Sequence, residues 1–547
     1  MRDVMRWGGG FGVLVGLVLA LAVGGCQDRG KDEQSVDVAI PTPGGTAVVA
    51  LPDEPDVLNP LVRTSSMAGM VLSLMSSSLV EMSPELLWEP EIAESWSVAA
   101  DSLSITYKLR PWRWSDGEAL TSADVALSWR LIVDPRVGSP RASLLRDIVD
   151  VETPDPQTVR YHFERTVADP IQASFHSILP AHLVAELDPA RQDLWPLNRD
   201  NVSSGPFRLV SWDAGEQLVL ERNPHYLLHR SYLDRMVLRV MPDATAQMLA
   251  LESGEVDLVM GVTAATARRL EGNQDIAMHE VSGRVFGFVL WNLRQPQLRQ
   301  PAVRRALSLA IDRQRFVDDL LSGLGRPATS YLPPVLWNHH AGLAPDPFRP
   351  DSARTLLAAA GWIDSDGDGV RDRDGRPLTV EVLYRSGNSV RDNGAVVLQQ
   401  NLSDVGVRVE LRALELATAL EFLRDGRFGA YWGEFQANLY ADPSALIHSA
   451  AFDQFNFGCY DNARVDSLLT LALATADRDV ARPIWWALQE ELVLDPPAAL
   501  IYYPQQLVAT SARLRDAHPD MLSAVNNIHR WWIAPADRRW AAADRER

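Results

Sequence analysis

From residue 44 onward the chain keeps changing its hydrophobic period, and that alternation constrains the fold more than any other feature. In "ITYKLR", Ile105, Tyr107 and Leu109 fall on one face at period two, and "TVRYHFER" does the same with Val159, Tyr161 and Phe163. "AVRRALSLAIDRQRFVDDLLSG" instead puts Val303, Leu307, Ala310, Val317 and Leu321 at helical spacing. It opens at Pro301, where a first-turn proline is tolerated, and stops at Gly323, so one helix is expected across it. "AVVLQQNLSDVGVRVELRAL" and "IWWALQEELVLDPPAALIYYP" repeat a helix-then-strand unit. The pattern predicts an α/β chain whose sheet is parallel or mixed. At 547 residues the chain exceeds what one core supports, so two or three domains are expected.

Charge and cysteines narrow the function classes. The net charge of −19 argues against a nucleic-acid partner. Lys31 and Lys108 are the only lysines, and the many arginines are scattered rather than clustered. Arg2 and Arg6 precede an apolar run over residues 11–25, about the length of a secretory h-region and short for a membrane span. It ends in "VGGC", which resembles the bacterial lipobox and implies cleavage before Cys26 with lipid on its sulfur. The plain alternative is a signal peptide with an incidental cysteine. Residues 27–43 read as a polar tether. With Cys26 lipidated only Cys459 remains, which allows neither an internal disulfide nor a cysteine-rich zinc site.

"DSDGDGVRDRDG", residues 364–375, spaces acidic residues like a calcium loop. A calcium loop of the helix-loop-helix type needs a helix on both sides and a glutamate at its twelfth position. Here the twelfth position is Gly375 and the following "PLTVEVLY" alternates like a strand. The run therefore reads as a solvated helix-to-strand turn after a helix capped by Asp351 and stopped at Gly361, with calcium left open. In "WSDGEALTSADVALSW", Asp116-Gly117 reads as a turn and Thr121 as a helix cap with Asp124 three residues on. Trp112, Trp114 and Trp129 there supply packing area. In "SGPF", Gly205 is expected to permit an unusual backbone and Pro206 to stiffen it. His339-His340 read as solvated loop residues rather than metal ligands, and Cys459 as a small buried thiol.

"LRPWRWSDGEALTSADVALSW", "SSGPFRLVSWDAGEQLVLERNPHY", "LESGEVDLVMG", "VRRALSLAIDRQRFVDDLLSGLGRPATSYLPP" and "AAAGWIDSDGDGVRDRDGRPLTVEVLY" resemble, in this order, the blocks of family 5 extracellular solute-binding proteins. That group holds the peptide- and nickel-binding receptors of ABC transporters. The resemblance, running from about residue 44 to about residue 532, implies an α/β periplasmic-binding-protein-like two-lobed fold (type II, cluster C) with mixed sheets and an extra inserted domain. It implies lobe I from residues 44–88, 205–284 and 505–547, an inserted domain II over 89–204, and lobe II over 285–504. It also implies a lipid-anchored, extracytoplasmic monomer that captures a solute, a short peptide first, and delivers it to an ABC permease and its ATPase. No cofactor is implied.

A peptide receptor meets two charged ends, an arginine for the carboxylate and a carboxylate for the ammonium. Dipeptide-binding relatives carry such an arginine before the helix that precedes a "GV" strand start. Arg385 in "VLYRSGN" occupies that place, with Arg391 as the substitute; a solvated loop arginine is the bland alternative. Relatives that grip an amine carry an aspartate three residues after a tryptophan. Here Trp432 and Asp442-Pro443 are present, but the third residue is Phe435. Glu434 is the replacement candidate, with Gln436 and Asn438 as neutral partners, while Trp432, Phe435 and Tyr440 read as aromatics that line an apolar pocket or stack on a sugar, or else as plain core. The chain has no nucleophile elbow, no His-Glu-x-x-His and no phosphate loop, which weighs against an enzyme. A signalling lipoprotein of the same fold, a receptor for an oligosaccharide, opine or metal chelate, and a secreted hydrolase stand as alternatives.

Overall fold

Pairing along one strand, Ala498–Ser511, organises the molecule. The computed structural model describes residues 40–538 apart from positions 168, 200, 201, 229, 453 and 476. Cys26, the signal segment and most of the tether lie outside the described residues. Among them a 12-stranded mixed sheet runs through the body. Its strands are β1 (Thr46–Leu51), β2 (Phe207–Asp213), β3 (Gln217–Arg222), β4 (Arg235–Val240), β5 (Leu258–Met260) and β6 (Ile276–Ser282). They continue with β7 (Val285–Trp291), β8 (Gly325–Pro327), β9 (Thr379–Arg385), β10 (Arg408–Leu414), β11 (Ala430–Gln436) and β12 (Ala498–Ser511). The order is β2-β3-β4-β1-β5-β12-β7-β11-β9-β10, with β6 and β8 also paired to β12. β1 runs parallel to β4 and β5, and β9 parallel to β10 and β11.

β12 belongs to both halves of this sheet. Its C-terminal part pairs with β5 and β6, its N-terminal part with β7 and β8. Burial lapses between the two, at Pro504, Gln505 and Gln506, where the proline also removes a ladder donor. The chain passes between the halves a second time at Ser282, Gly283 and Arg284, linking β6 to β7.

Each half has its own cores. In the first, Val49 and Leu51 pack with Val71 and Met75 of the helix Ser66–Met75, and with Trp531. The opposite face sets Val48 and Ala50 against Met248 and Leu251. Asp257 and Arg513 tie this half together: both are buried, Arg513 Nε and Nη2 each reach the carboxylate at 2.6 Å, and Val48 N–H donates to it at 2.8 Å. In the second half, helices Pro301–Leu309, Pro350–Ala359 and Ser389–Ser403 cover one face, and Ala463–Leu473 with Arg478–Leu494 the other. A separate antiparallel sheet orders Ala93–Val98, Ser104–Leu109, Thr158–Phe163 and Ile148–Asp155. Its inner residues, Ile105, Tyr107, Val159 and Tyr161, are the ones whose period-two spacing predicts them. No helix among the described residues is long and apolar enough to cross a membrane.

Local expectations hold in part. The helix Ser122–Val133 starts as expected, with Asp124 accepting the Thr121 N–H at 2.7 Å. The helix expected from Pro301 to Gly323 ends instead at Leu309. Asp312 caps a new turn by accepting from Arg315 N–H at 3.1 Å, while its own N–H goes to Asn401 at 3.0 Å. Asp351 lies in the first turn of its helix rather than at the cap, which is Arg349. Gly205 is needed for space, not for φ, because a Cβ there would come within 2.7 Å of Met75 C and Ser76 N. The acidic turn is organised by its own backbone: Asp364 accepts from Gly367 and Gly369 N–H at 2.7 and 3.1 Å, and both glycines adopt positive φ. His339 and His340 are half-buried rather than solvated, one bonded to Leu332 O at 2.7 Å and the other stacked on Trp486. Cys459 is half-buried rather than buried, in the left-handed region.

Candidate functional site

The C-terminal ends of β9 and β11 bring part of the expected set together. β9 ends at Arg385, whose side chain is exposed. Asn388 then caps the helix Ser389–Ser403 by accepting from Arg391 N–H at 3.1 Å. This cap returns the Arg391 guanidinium toward β11, where Nη1 meets Glu434 at 3.4 Å and Nε donates to Arg385 O at 3.3 Å. Tyr502 on β12 donates its hydroxyl to the other Glu434 oxygen at 2.9 Å. Burial, and then the Glu434 charge, push the Tyr502 hydroxyl far above its ordinary value.

Trp432 stands beneath this network rather than in a pocket. It is fully buried, flanked edge-on by Phe316 and Tyr502, and its indole N–H donates to Arg391 O at 3.0 Å. Its ring is accommodated by Gly394, where a Cβ would lie 2.8 Å from Cζ2. The expectation that Trp432 lines the ligand is thus replaced by a supporting role, since a core tryptophan and a pocket tryptophan share one strand spacing. Glu434, expected to await an ammonium, already has a cation and a hydroxyl.

The other expected residues spread along the following loop. Gln436 is exposed at the end of β11. Asn438 closes the loop on itself, exchanging two 3.0 Å hydrogen bonds with the Asp442 backbone. Tyr440 reaches across to Trp88, with ring centroids 6.2 Å apart, and Trp88 in turn lies 5.4 Å from Phe175. Burial foremost, and then the Asp169 charge, push the Tyr440 hydroxyl up to about 12 while Arg284 acts against them. Asp169 accepts the Trp88 indole N–H at 3.3 Å. Arg284, at the passage between the sheet halves, donates Nη1 to Ala437 O at 2.5 Å and keeps a buried Nε without a partner among the described residues. Trp88, Asp169 and Arg284 were not singled out by sequence; the passage glycine Gly283 beside Arg284 was the available signal. A void of about 40 Å³ beside Arg313, Ser330, Asp346 and Gln489 lies elsewhere and has room for only a few waters.

Two sheet halves joined by paired passages, with charged and aromatic side chains gathered near the junction, are the arrangement of a receptor that holds a solute between lobes. A family model for bacterial extracellular solute-binding proteins, family 5 Middle, matches residues 88–457, and the chain belongs to this family. It is 26% identical over 531 residues to the oligopeptide-binding protein AppA of Bacillus subtilis (strain 168), covering 95% of this chain and 97% of that one. It is 25% identical over 473 residues to the nickel-binding periplasmic protein of Escherichia coli (strain K12), covering 84% and 88%. The solved structure of the Bacillus subtilis AppA with a nonapeptide superposes with a TM-score of 0.71 at 26% identity, over 90% of this chain and all of that one (100%). NikA of Brucella suis in complex with Fe(III)-EDTA superposes at 0.77 with 21% identity, over 89% and 99%, a likeness of fold. The fold is the two-lobed, mixed-sheet α/β fold of this family.

Proposed function

We propose that the protein is a lipid-anchored extracytoplasmic receptor that captures an oligopeptide between its lobes and hands it to an ABC permease powered by its ATPase. The similarity to an oligopeptide-binding protein along 95% of the chain carries this reading. It is supported by the exposed polar groups near the passages, Arg385 and Gln436, and by the aromatic contact of Tyr440 with Trp88, which offer hydrogen bonds and apolar surface to an extended chain. In this reading lobe I comprises residues 44–88, 205–284 and 505–547, domain II comprises 89–204, lobe II comprises 285–504, and Cys26 carries the lipid. The role is delivery rather than catalysis, and the receptor acts as a monomer.

Because Glu434 is compensated by Arg391, the amine end of the ligand is met by neutral groups rather than by a free carboxylate at that position. Native mass spectrometry of protein lacking residues 1–26, before and after ligand stripping, tests the reading. Extra mass that fragments as peptide is expected; a sugar or metal chelate would overturn the peptide assignment, and turnover of the bound solute would overturn the receptor.

A further inference from the structure

Residues 80–90 leave one core and end in another. The strands Val80–Met82 and Trp88–Pro90 pair antiparallel, with Val80 opposite Pro90 and Met82 opposite Trp88. The roots of this hairpin, Leu79, Val80, Ile92 and Ala93, are buried in the core of the separate four-stranded sheet. Its tip, Leu86, is 1% exposed and belongs to the core of the second half that holds Phe286, Tyr331 and Trp485. Among the described residues, Leu86 is the one buried member of that core drawn from outside residues 286–503. Arg478, opening the helix Arg478–Leu494, donates Nη2 to Leu86 O, and its guanidinium lies 5.0 Å from the centre of the Trp337 ring. Beside the tip, Met82 packs on the same core and Trp88 meets Tyr440.

The turn is shaped to hold this tip. Ser83 O accepts the Leu86 N–H and Ser83 N–H donates to Leu87 O, both at 2.9 Å. Leu86 is left at a φ of 60°, a conformation that leucine rarely adopts. Glycine or asparagine would take that backbone with less strain, so the leucine is compensated by what its side chain buries in the second half. Leu87, next to it, points to solvent. The two halves are joined along the chain at residues 282–284 and 504–506, and lobes of such a receptor part and close about passages of this kind. Parting them about those passages draws Leu86 out of an apolar core and breaks the Arg478 bond.

We propose that the hairpin of residues 80–90 is a latch between the lobes, docked when they close and withdrawn when they part, and so a brake on release of the captured solute. The latch rests on the solute-capture reading and deepens it, because it names what holds the closed state besides the solute. The opposing arrangement is a rigid joint, in which the hairpin travels with the second half and does not respond to opening.

The test places donor and acceptor dyes on Leu249→Cys and Val396→Cys, exposed positions on helices of opposite halves, in protein lacking residues 1–26 and carrying Cys459→Ser. Single-molecule energy transfer then reads lobe separation. Leu86→Asn suits the left-handed backbone but not the apolar core, and Arg478→Gln removes the cationic donor while leaving the leucine in place. Each is expected to raise the open fraction of the ligand-free protein about tenfold and to release pentapeptides captured from a library about tenfold faster, read by mass spectrometry after dilution. Arg478→Gln decides the question alone where Leu86→Asn does not fold. Unchanged lobe separation overturns the latch, and if melting falls at the same time the hairpin is a structural joint. A changed separation with unchanged release overturns the braking role. Capture of no pentapeptide overturns the peptide reading instead, and lobe separation in the ligand-free protein then decides the latch.

Discussion

Two arginine–carboxylate pairs stand on either side of the middle of β12 and differ in every respect that sets strength. Asp257–Arg513 is buried, the side chains 0% and 7% exposed, and makes two contacts of 2.6 Å. Arg391–Glu434 retains 16% and 26% exposure and makes one contact of 3.4 Å, sharing its carboxylate with Tyr502. The first is a closed fork that ties β1 to the residue just before β5 and to the chain just beyond β12. The second is slack and lies at strand ends. A sealed, bidentate pair fixes geometry, whereas a part-exposed single contact keeps solvent and geometric freedom.

Breaking the sealed pair carries the largest expected effect. Asp257→Asn leaves Arg513 buried without that counter-charge and is expected to cost about 3–5 kcal/mol in urea denaturation. Gly394→Ala attacks the support of the slack pair, because the new methyl meets the Trp432 ring, and about 1–3 kcal/mol is expected, with altered near-UV dichroism from the indole.

Glu91 sharpens the contrast as a buried carboxyl with no ion pair among the described residues, accepting Ser78 N–H at 2.7 Å. Burial first, and the neighbouring Glu81 second, push it up to about 8 from an ordinary 4.5. Its folded value is raised, so its contribution to stability is complete below about pH 4.5 and is lost as pH rises through about 8. Melting temperature is expected to fall by a few degrees across that window, and Glu91→Gln to flatten the profile. Glu434→Gln is the mildest change, expected to cost about 0.5–1.5 kcal/mol while Tyr502 ionises at lower pH than in wild type, read from tyrosinate absorbance.

What could be read from sequence follows the range of the forces involved. Ile105, Tyr107 and Leu109 were legible because one buried face imposes period two. The Thr121–Asp124 cap was legible because it is made within one turn. The break after Leu309 was not, because the Asp312 N–H finds its acceptor on Asn401, in another helix. Within the candidate site, the residue types were legible and their partners were not. Glu434 and Arg391 lie far apart in the chain, and nothing local to "YWGEF" announces that its carboxylate is already matched. Trp432 shows the remaining ambiguity, since strand spacing gives the alternation of faces but not which face meets a core.

The position of β12 has a consequence for synthesis. Strands β5, β6, β7 and β8 all find a partner on residues 498–511, so neither half of the sheet can close on a nascent chain that has not yet reached Ala498. Early segments such as β1 and β4 can pair with each other, but their half gains its central neighbour only when the last strand of the sheet arrives. A chain built this way stays unfinished for most of its time on the ribosome, the condition in which a polypeptide can still be threaded across a membrane.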